Sequence, residues 1–168
     1  PDHRQVIEKD KDFIIDDLII HPYSIPHDAA DPVGYTFVHG DKKISIATDL
    51  GHMNDHVKNN IRESNLILLE SNHDIDMLKS GSYPYYLKRR ILGDKGHLCN
   101  EIAGKTLVEI FHDKLKTVIL GHLSKENNYP DLAYMSVKNE LMGAGIEVDG
   151  RLELTVASRE EISKIFEV

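Results

Sequence analysis

Three apolar runs in this chain stop at side chains that bind metals or carry protons. Lys43 to Ala47 alternates as a strand, continues into Thr48-Asp49 and breaks at Gly51. Leu66 to Leu69 is continuously apolar and ends in Glu70-Ser71-Asn72-His73-Asp74. Thr117 to Leu120 is apolar and ends in Gly121-His122-Leu123-Ser124. An apolar run of five or so residues bounded by turn signals reads as a buried strand. Three strands that each release a ligand-type side chain at the same end predict one shared site at one edge of a sheet. A fourth segment, Ile25-Pro26-His27-Asp28, is extended and leads to His27.

The rest of the chain fits a sheet that mixes hairpins and crossovers. Phe13–Ile15 and Leu18–Ile20 flank Asp16-Asp17, a hairpin signal, and the second strand runs on to Pro26. Residues 34–39 and 42–48 read as a hairpin around Gly40-Asp41. The early part thus holds about five strands before strand–helix alternation begins. Asn54 is an N-cap for a helix with Val57 and Ile61 on one face. Helices are predicted from Pro84, over 98–112, and from Pro130 to the Gly143-Ala144-Gly145 stop. Residues 151–157 alternate as a strand, and Ser158, with Glu161 three residues on, predicts a final capped helix. The expected fold is a single α/β domain over 1–168.

Composition narrows the function. The 168 residues are 40% hydrophobic and 29% charged with a net charge of −8, so no global basic footprint for nucleic acid exists. A metal site or local basic patch can still dominate the nearby field of an acidic chain. Cys99 is the one cysteine, which excludes an intrachain disulfide and predicts a reducing, cytoplasmic setting. No apolar run approaches the roughly 20 residues that span a bilayer, so no membrane partner is expected.

His27, Asp49 and His122 are the strongest candidate metal set. Imidazole nitrogen and carboxylate oxygen suit Zn²⁺, Mn²⁺ or Fe; the bare pattern also fits loop histidines and a capping aspartate. Glu70, Asn72, His73 and Asp74 cluster after a strand. There His73 could orient a phosphate or donate a proton and Glu70 could hold a ligand histidine, or the group could be a polar strand end. His97, in Asp94-Lys95-Gly96-His97, precedes a helix and could meet a phosphate or cap it. His52 and His56 stand i, i+4, a spacing that would place both on one helical face, although a solvated helix start explains them as well. Lys88, Arg89, Arg90 and Lys95 form the dense basic stretch, beside Tyr83, Tyr85 and Tyr86; it fits either stacking and phosphate contacts or a solvated helix face over core aromatics. His3, His21, His39 and His112 read as structural, and Cys99 as a small buried side chain.

Several of these stretches occur together and in order: His27-Asp28-Ala29-Ala30-Asp31-Pro32-Val33-Gly34-Tyr35, Ala47-Thr48-Asp49-Leu50-Gly51, Leu69-Glu70-Ser71-Asn72-His73-Asp74, Gly96-His97-Leu98-Cys99-Asn100 and Gly121-His122-Leu123-Ser124. The set resembles the metallo-β-lactamase-fold hydrolases, and within them the WalJ (YycJ)-like subgroup of nuclease-like proteins, over nearly the whole chain from about Phe13. The resemblance implies two metals: His27 corresponds to the third histidine and a ligand of the first ion, Asp49 to the aspartate that bridges both, and His122 to the last histidine and a ligand of the second. It implies Zn, Mn or Fe as divalent ions, a hydroxide between them as nucleophile, and DNA as substrate of a phosphodiesterase or exonuclease, with Glu70, His73 and His97 as catalytic support. Other esters hydrolysed on this fold (a lactone, a thioester, a cyclic phosphodiester) and a non-catalytic, partner-binding module are the alternatives.

The chain departs from the family at one motif. The His-x-His-x-Asp-His segment of the first half is absent, as no His-x-His occurs in the sequence. The resemblance therefore implies the second half of a four-layer αββα sandwich, the C-terminal portion of a longer protein. Its partner would be the N-terminal half or a second copy of the chain.

Overall fold

The computed structural model describes residues 6–168. His3 and the first residues of the polar opening lie outside the described residues. The elements run β1 (Phe13–Ile15), β2 (Leu18–Ser24), β3 (Val33–His39), β4 (Lys42–Ala47), α1 (Asp55–Ile61), β5 (Leu66–Glu70), α2 (Ile75–Ser80), α3 (Tyr85–Ile91), α4 (Asn100–Ile110), β6 (Thr117–Gly121), α5 (Pro130–Gly143) and β7 (Glu153–Val156). All seven strands form one sheet in sequence order. β1 to β4 are an antiparallel meander, and β4 to β7 are parallel. The meander has four strands rather than about five.

The local chemistry explains the boundaries. Asp16 takes φ 54° in the β1–β2 turn, a conformation that aspartate tolerates. Asn54 Oδ1 accepts the Val57 N–H at 2.9 Å and starts α1. Asp74 does the same for α2 through Met77 N–H at 2.8 Å; this short helix gives too few apolar repeats to register as a period. The expected C-terminal helix does not form. Ser158 Oγ accepts the N–H groups of Glu160 and Glu161, as a cap would, but the chain continues without helix. Ile162 and Ile165 stay exposed, so no packed face supports a helix there.

The two faces of the sheet differ. On one, Ala47, Ile67, Leu69, Val118, Leu120 and Leu154 are buried in a core with Val57 and Ile61 of α1, Ala103, Leu107 and Ile110 of α4, and Ala133, Val137 and Leu141 of α5. On the other, Tyr35, Ile46, Leu68 and Ile119 stand in register across four strands, with Phe37 opposite Ile44 two residues along. These six side chains are only half-buried. An apolar row of this kind is a surface that a sheet normally covers. Among the described residues no helix is long and apolar enough to cross a membrane.

Candidate metal centre

The parallel strands β4, β5 and β6 bring their C-terminal ends side by side, where ligand sites of parallel sheets form. Glu70 is the last residue of β5, and Asp49 and His122 lie just past the ends of β4 and β6. Two loops complete the cluster. The segment after β2 delivers His27, and the loop between α3 and α4 delivers His97. Both are locked by backbone bonds: Gly51 N–H donates to the Pro26 carbonyl at 2.9 Å, and His97 N–H to the Ile91 carbonyl at 3.0 Å. Gly51 lies so close to the Asp94–Lys95 backbone that a Cβ there would come within 2.2 Å of the Asp94 carbonyl oxygen. Glycine is therefore required where the Asp49 loop meets the His97 loop.

The side chains converge on Asp49. Its Oδ1 lies 3.7 Å from His27 Nε2, 3.6 Å from His122 Nε2 and 3.7 Å from His97 Nδ1. The His97 ring centroid is 5.1 Å from that of His27 and 5.2 Å from that of His122. Ligand atoms of Asp49, Glu70, His97 and His122 all fall within 4.8 Å of one another. Asp49 and His122 both have left-handed backbones, φ 60° and 57°. Such φ values cost non-glycine residues roughly 1 kcal/mol or more and persist where surrounding contacts impose them. For His122 the contact is identifiable: the buried Asn72 amide donates to its carbonyl at 2.8 Å.

Glu70 organises the cluster. It is fully buried. Its Oε1 accepts from His97 Nδ1 at 2.8 Å and from His122 Nδ1 at 2.7 Å, while Oε2 accepts the N–H groups of Leu50 at 2.6 Å and Leu98 at 3.3 Å. Burial alone would raise its pKa, but the hydrogen bonds from His122, His97 and Leu50 outweigh it and hold the carboxyl below the usual range. The bond to Glu70, more than any other influence, raises the pKa of His122. The two Glu70 oxygens thus meet four donors, two imidazoles and two backbone N–H groups. Nδ1 of each histidine is thereby engaged, which fixes the ring orientation and leaves Nε2 of His122 as the nitrogen turned toward Asp49. The Gly96 carbonyl does the same for His27, accepting from its Nδ1 at 3.1 Å. Three imidazoles around a carboxylate make this a candidate divalent-metal site.

Thus His27, Asp49 and His122 lie together, and Glu70 and His97 join them. His73 is not among the converging side chains. It is 1% exposed, neither ring nitrogen has a partner among the described residues, and burial pushes its pKa down to about 4. His52 and His56 do not share a helical face, because α1 begins after His52. His52 bonds the Asp94 carbonyl, while His56 bonds Asp10. The basic stretch is largely engaged within the chain: Arg90 makes a two-point bond to Asp28, and Lys88 bonds the carbonyls of Lys79 and Gly81. Arg89 lies over Tyr85, which is exposed with Tyr86. Asp28 went unnoticed in the sequence. Its carboxylate lies 3.5 Å from His27 Nε2, and the Arg90 hydrogen bond holds its pKa down at about 2. Its position directly after His27 was the signal available.

No family model matches the chain. It is 40% identical over 138 residues to the exodeoxyribonuclease YycJ of Bacillus anthracis, covering 82% of this chain and 52% of the relative. It is 38% identical over 148 residues to the exodeoxyribonuclease WalJ of Streptococcus pneumoniae D39, covering 87% and 55%. The chain thus spans about half the length of the curated relatives it matches. In fold it is similar to the metallo-β-lactamase-fold protein YhfI of Bacillus subtilis, with a TM-score of 0.62 at 14% identity over 90% of this chain and 51% of that one. It is also similar to Zn²⁺-bound PqqB of Methylobacterium extorquens, with a TM-score of 0.58 at 18% identity over 92% and 50%.

Proposed function

We propose that this chain, which belongs to the WalJ/YycJ-like group of metallo-β-lactamase-fold proteins, carries much of the active site of a metal-dependent phosphodiester hydrolase that degrades DNA from its ends. The observation that carries this reading is the grip of Glu70 on the Nδ1 atoms of both His97 and His122, beside Asp49. The names of the two curated relatives support the substrate. A reducing, cytoplasmic setting fits the single buried thiol of Cys99.

The donor set fits divalent ions of the zinc, manganese or iron type, and we propose two. His27, Asp49 and His122 are the ligands. Divalent ions held there would supply an activated water and charge stabilisation to a phosphodiester. The protein's own part is orientation and proton handling. Glu70 takes the Nδ1 hydrogen bond of His122 and the Gly96 carbonyl that of His27, so that Nε2 of each ring is the nitrogen turned toward Asp49. His97, its ring held by Glu70 through Nδ1 beside Asp49, is placed to meet the phosphate. His73 stays neutral, because its ring is desolvated. The half-buried row of Tyr35, Ile46, Leu68 and Ile119 packs against a further layer, from the N-terminal half of a longer chain or from a second copy.

The test is cleavage of end-labelled DNA by the metal-loaded protein, with Asp49→Ala beside it. Stepwise release of nucleotides, abolished in the variant while its melting curve is retained, is the expected result. Full activity of Asp49→Ala at matched metal loading would overturn the ligand assignment. Hydrolysis of lactones or thioesters with no action on DNA would overturn the substrate.

A further inference from the structure

His122 forms one wall of a cleft of about 760 Å³ that extends away from the metal cluster. That size lies within the roughly 300–1,000 Å³ of sites that seat small organic groups. Much of the lining is apolar: Leu123, Tyr129, Pro130, Val156 and Ala157. Its charges cancel, with Lys125 and Arg159 against Glu160 and Glu161. Arg159 is moreover engaged with the Leu123 carbonyl. A track for successive phosphates needs a surplus of cations, and this cleft has none. Its chemistry suits an uncharged, flat, partly polar group.

Tyr129 is the feature shaped for such a group. The residue is 52% exposed. Its backbone is held firmly. The Tyr129 N–H donates to Asn128 Oδ1 at 3.0 Å, and the buried Asn128 amide donates to the carbonyls of Ser71 at 2.9 Å and Asn72 at 3.1 Å. Asn72 in turn holds the His122 carbonyl. One buried amide network therefore ties an exposed aromatic ring to a residue of the metal cluster.

We propose that this cleft seats the nucleobase and sugar next to the scissile phosphate, with the Tyr129 ring as the stacking platform. The proposal rests on the DNA-end reading above and names the subsite that would hold the substrate's terminal unit. A base stacked on an anchored ring is sequence-tolerant, since every base has a π-face. Without excess positive charge, the cleft does not attract a continuing phosphate backbone, so it favours a chain end over an internal stretch.

The experiment uses the metal-loaded protein and a single strand carrying 2-aminopurine at its terminal position through slowly cleaved phosphorothioate linkages. Its emission falls when the base stacks. Cleavage of an ordinary strand and of one with an abasic terminal unit is followed alongside. In the wild type and in Tyr129→Phe, emission falls and the normal end is preferred over the abasic one. In Tyr129→Ala the emission change is lost, KM for the normal end rises about tenfold or more, kcat is little changed, and the preference disappears. Tyr129→Leu retains apolar bulk and repeats the test should the alanine variant fold poorly. Emission changes that depend on Tyr129 without any cleavage would remove the nuclease reading and leave the base seat standing. Cleavage with equal emission changes in wild type, Tyr129→Ala and Tyr129→Leu would overturn the seat. Neither emission change nor cleavage would overturn both.

Discussion

Glu70 accepts the Nδ1 proton of His122 at 2.7 Å across the ends of the neighbouring parallel strands β5 and β6. The register that pairs Glu70 with Gly121 places the carboxylate directly beside the next residue's ring. Replacing Glu70 with Gln leaves an amide that cannot accept from the same four donors. We expect Glu70→Gln to weaken divalent-metal affinity by about 10- to 100-fold and to cost about 1–3 kcal/mol through unpaired buried donors. Calorimetric metal titration and a thermal melt measure the two effects. Affinity equal to wild type would show that Glu70 does not orient the ligands.

The strained backbone at Asp49 makes a separable prediction. Asn tolerates φ near 60° as Asp does, whereas a β-branched residue does not. Asp49→Asn should keep stability within about 1 kcal/mol of wild type while losing metal binding. Asp49→Val should lose both, with a further destabilisation of about 1–3 kcal/mol. Equal melting temperatures for the two variants would argue against the left-handed conformation.

Gly51 tests how the two loops are held together. A Cβ there meets the Asp94 backbone at 2.2 Å, and backbone cannot swing aside as a flexible side chain can. Gly51→Ala should destabilise by about 1–3 kcal/mol and move His97 away from Asp49, lowering metal affinity. Denaturant unfolding and metal titration of the same variant check both consequences.

His73 predicts an acid-sensitive fold. Burial lowers its pKa from 6.5 to about 4, so the unfolded chain binds the proton more readily than the native one. Its neutral burial supports the fold fully above about pH 6.5, and that support is lost as pH falls towards 4. A shift of this size corresponds to a pH-dependent term on the order of 3 kcal/mol. Unfolding free energies of metal-free protein between pH 7 and 4 should fall less steeply in His73→Met than in wild type. Parallel slopes would mean that His73 is not the group responsible.

The half-buried sheet face predicts association. Covering several hundred Å² of apolar surface contributes on the order of 10 kcal/mol, comparable with the whole stability of a domain. Residues 1–168 alone should therefore sediment as dimers or larger species, or unfold without cooperativity. Leu68→Lys should raise the monomer fraction. A monomeric wild-type chain with a cooperative transition of ordinary stability would show that the face needs no cover.

What the sequence determined by itself was local. Apolar runs at Lys43–Ala47, Leu66–Leu69 and Thr117–Leu120 fix strands, because a buried strand needs only a short apolar stretch and a breaker. Asn54 and Pro130 mark helix starts through their own backbone chemistry. Asp49, Glu70 and His122 were legible as site residues because each stands where an apolar run stops. Local signals misled at Ser158, where the cap formed and no packed surface existed to support the helix. Tertiary structure alone decided the rest. Parallel register set Glu70 beside His122, a loop held by Gly51 and Gly96 carried His97 to the same point, and Asn72 held His122 in a left-handed conformation. These outcomes depend on contacts between segments far apart in the chain, and only packing of the sheet against its helices brings such segments within hydrogen-bonding distance.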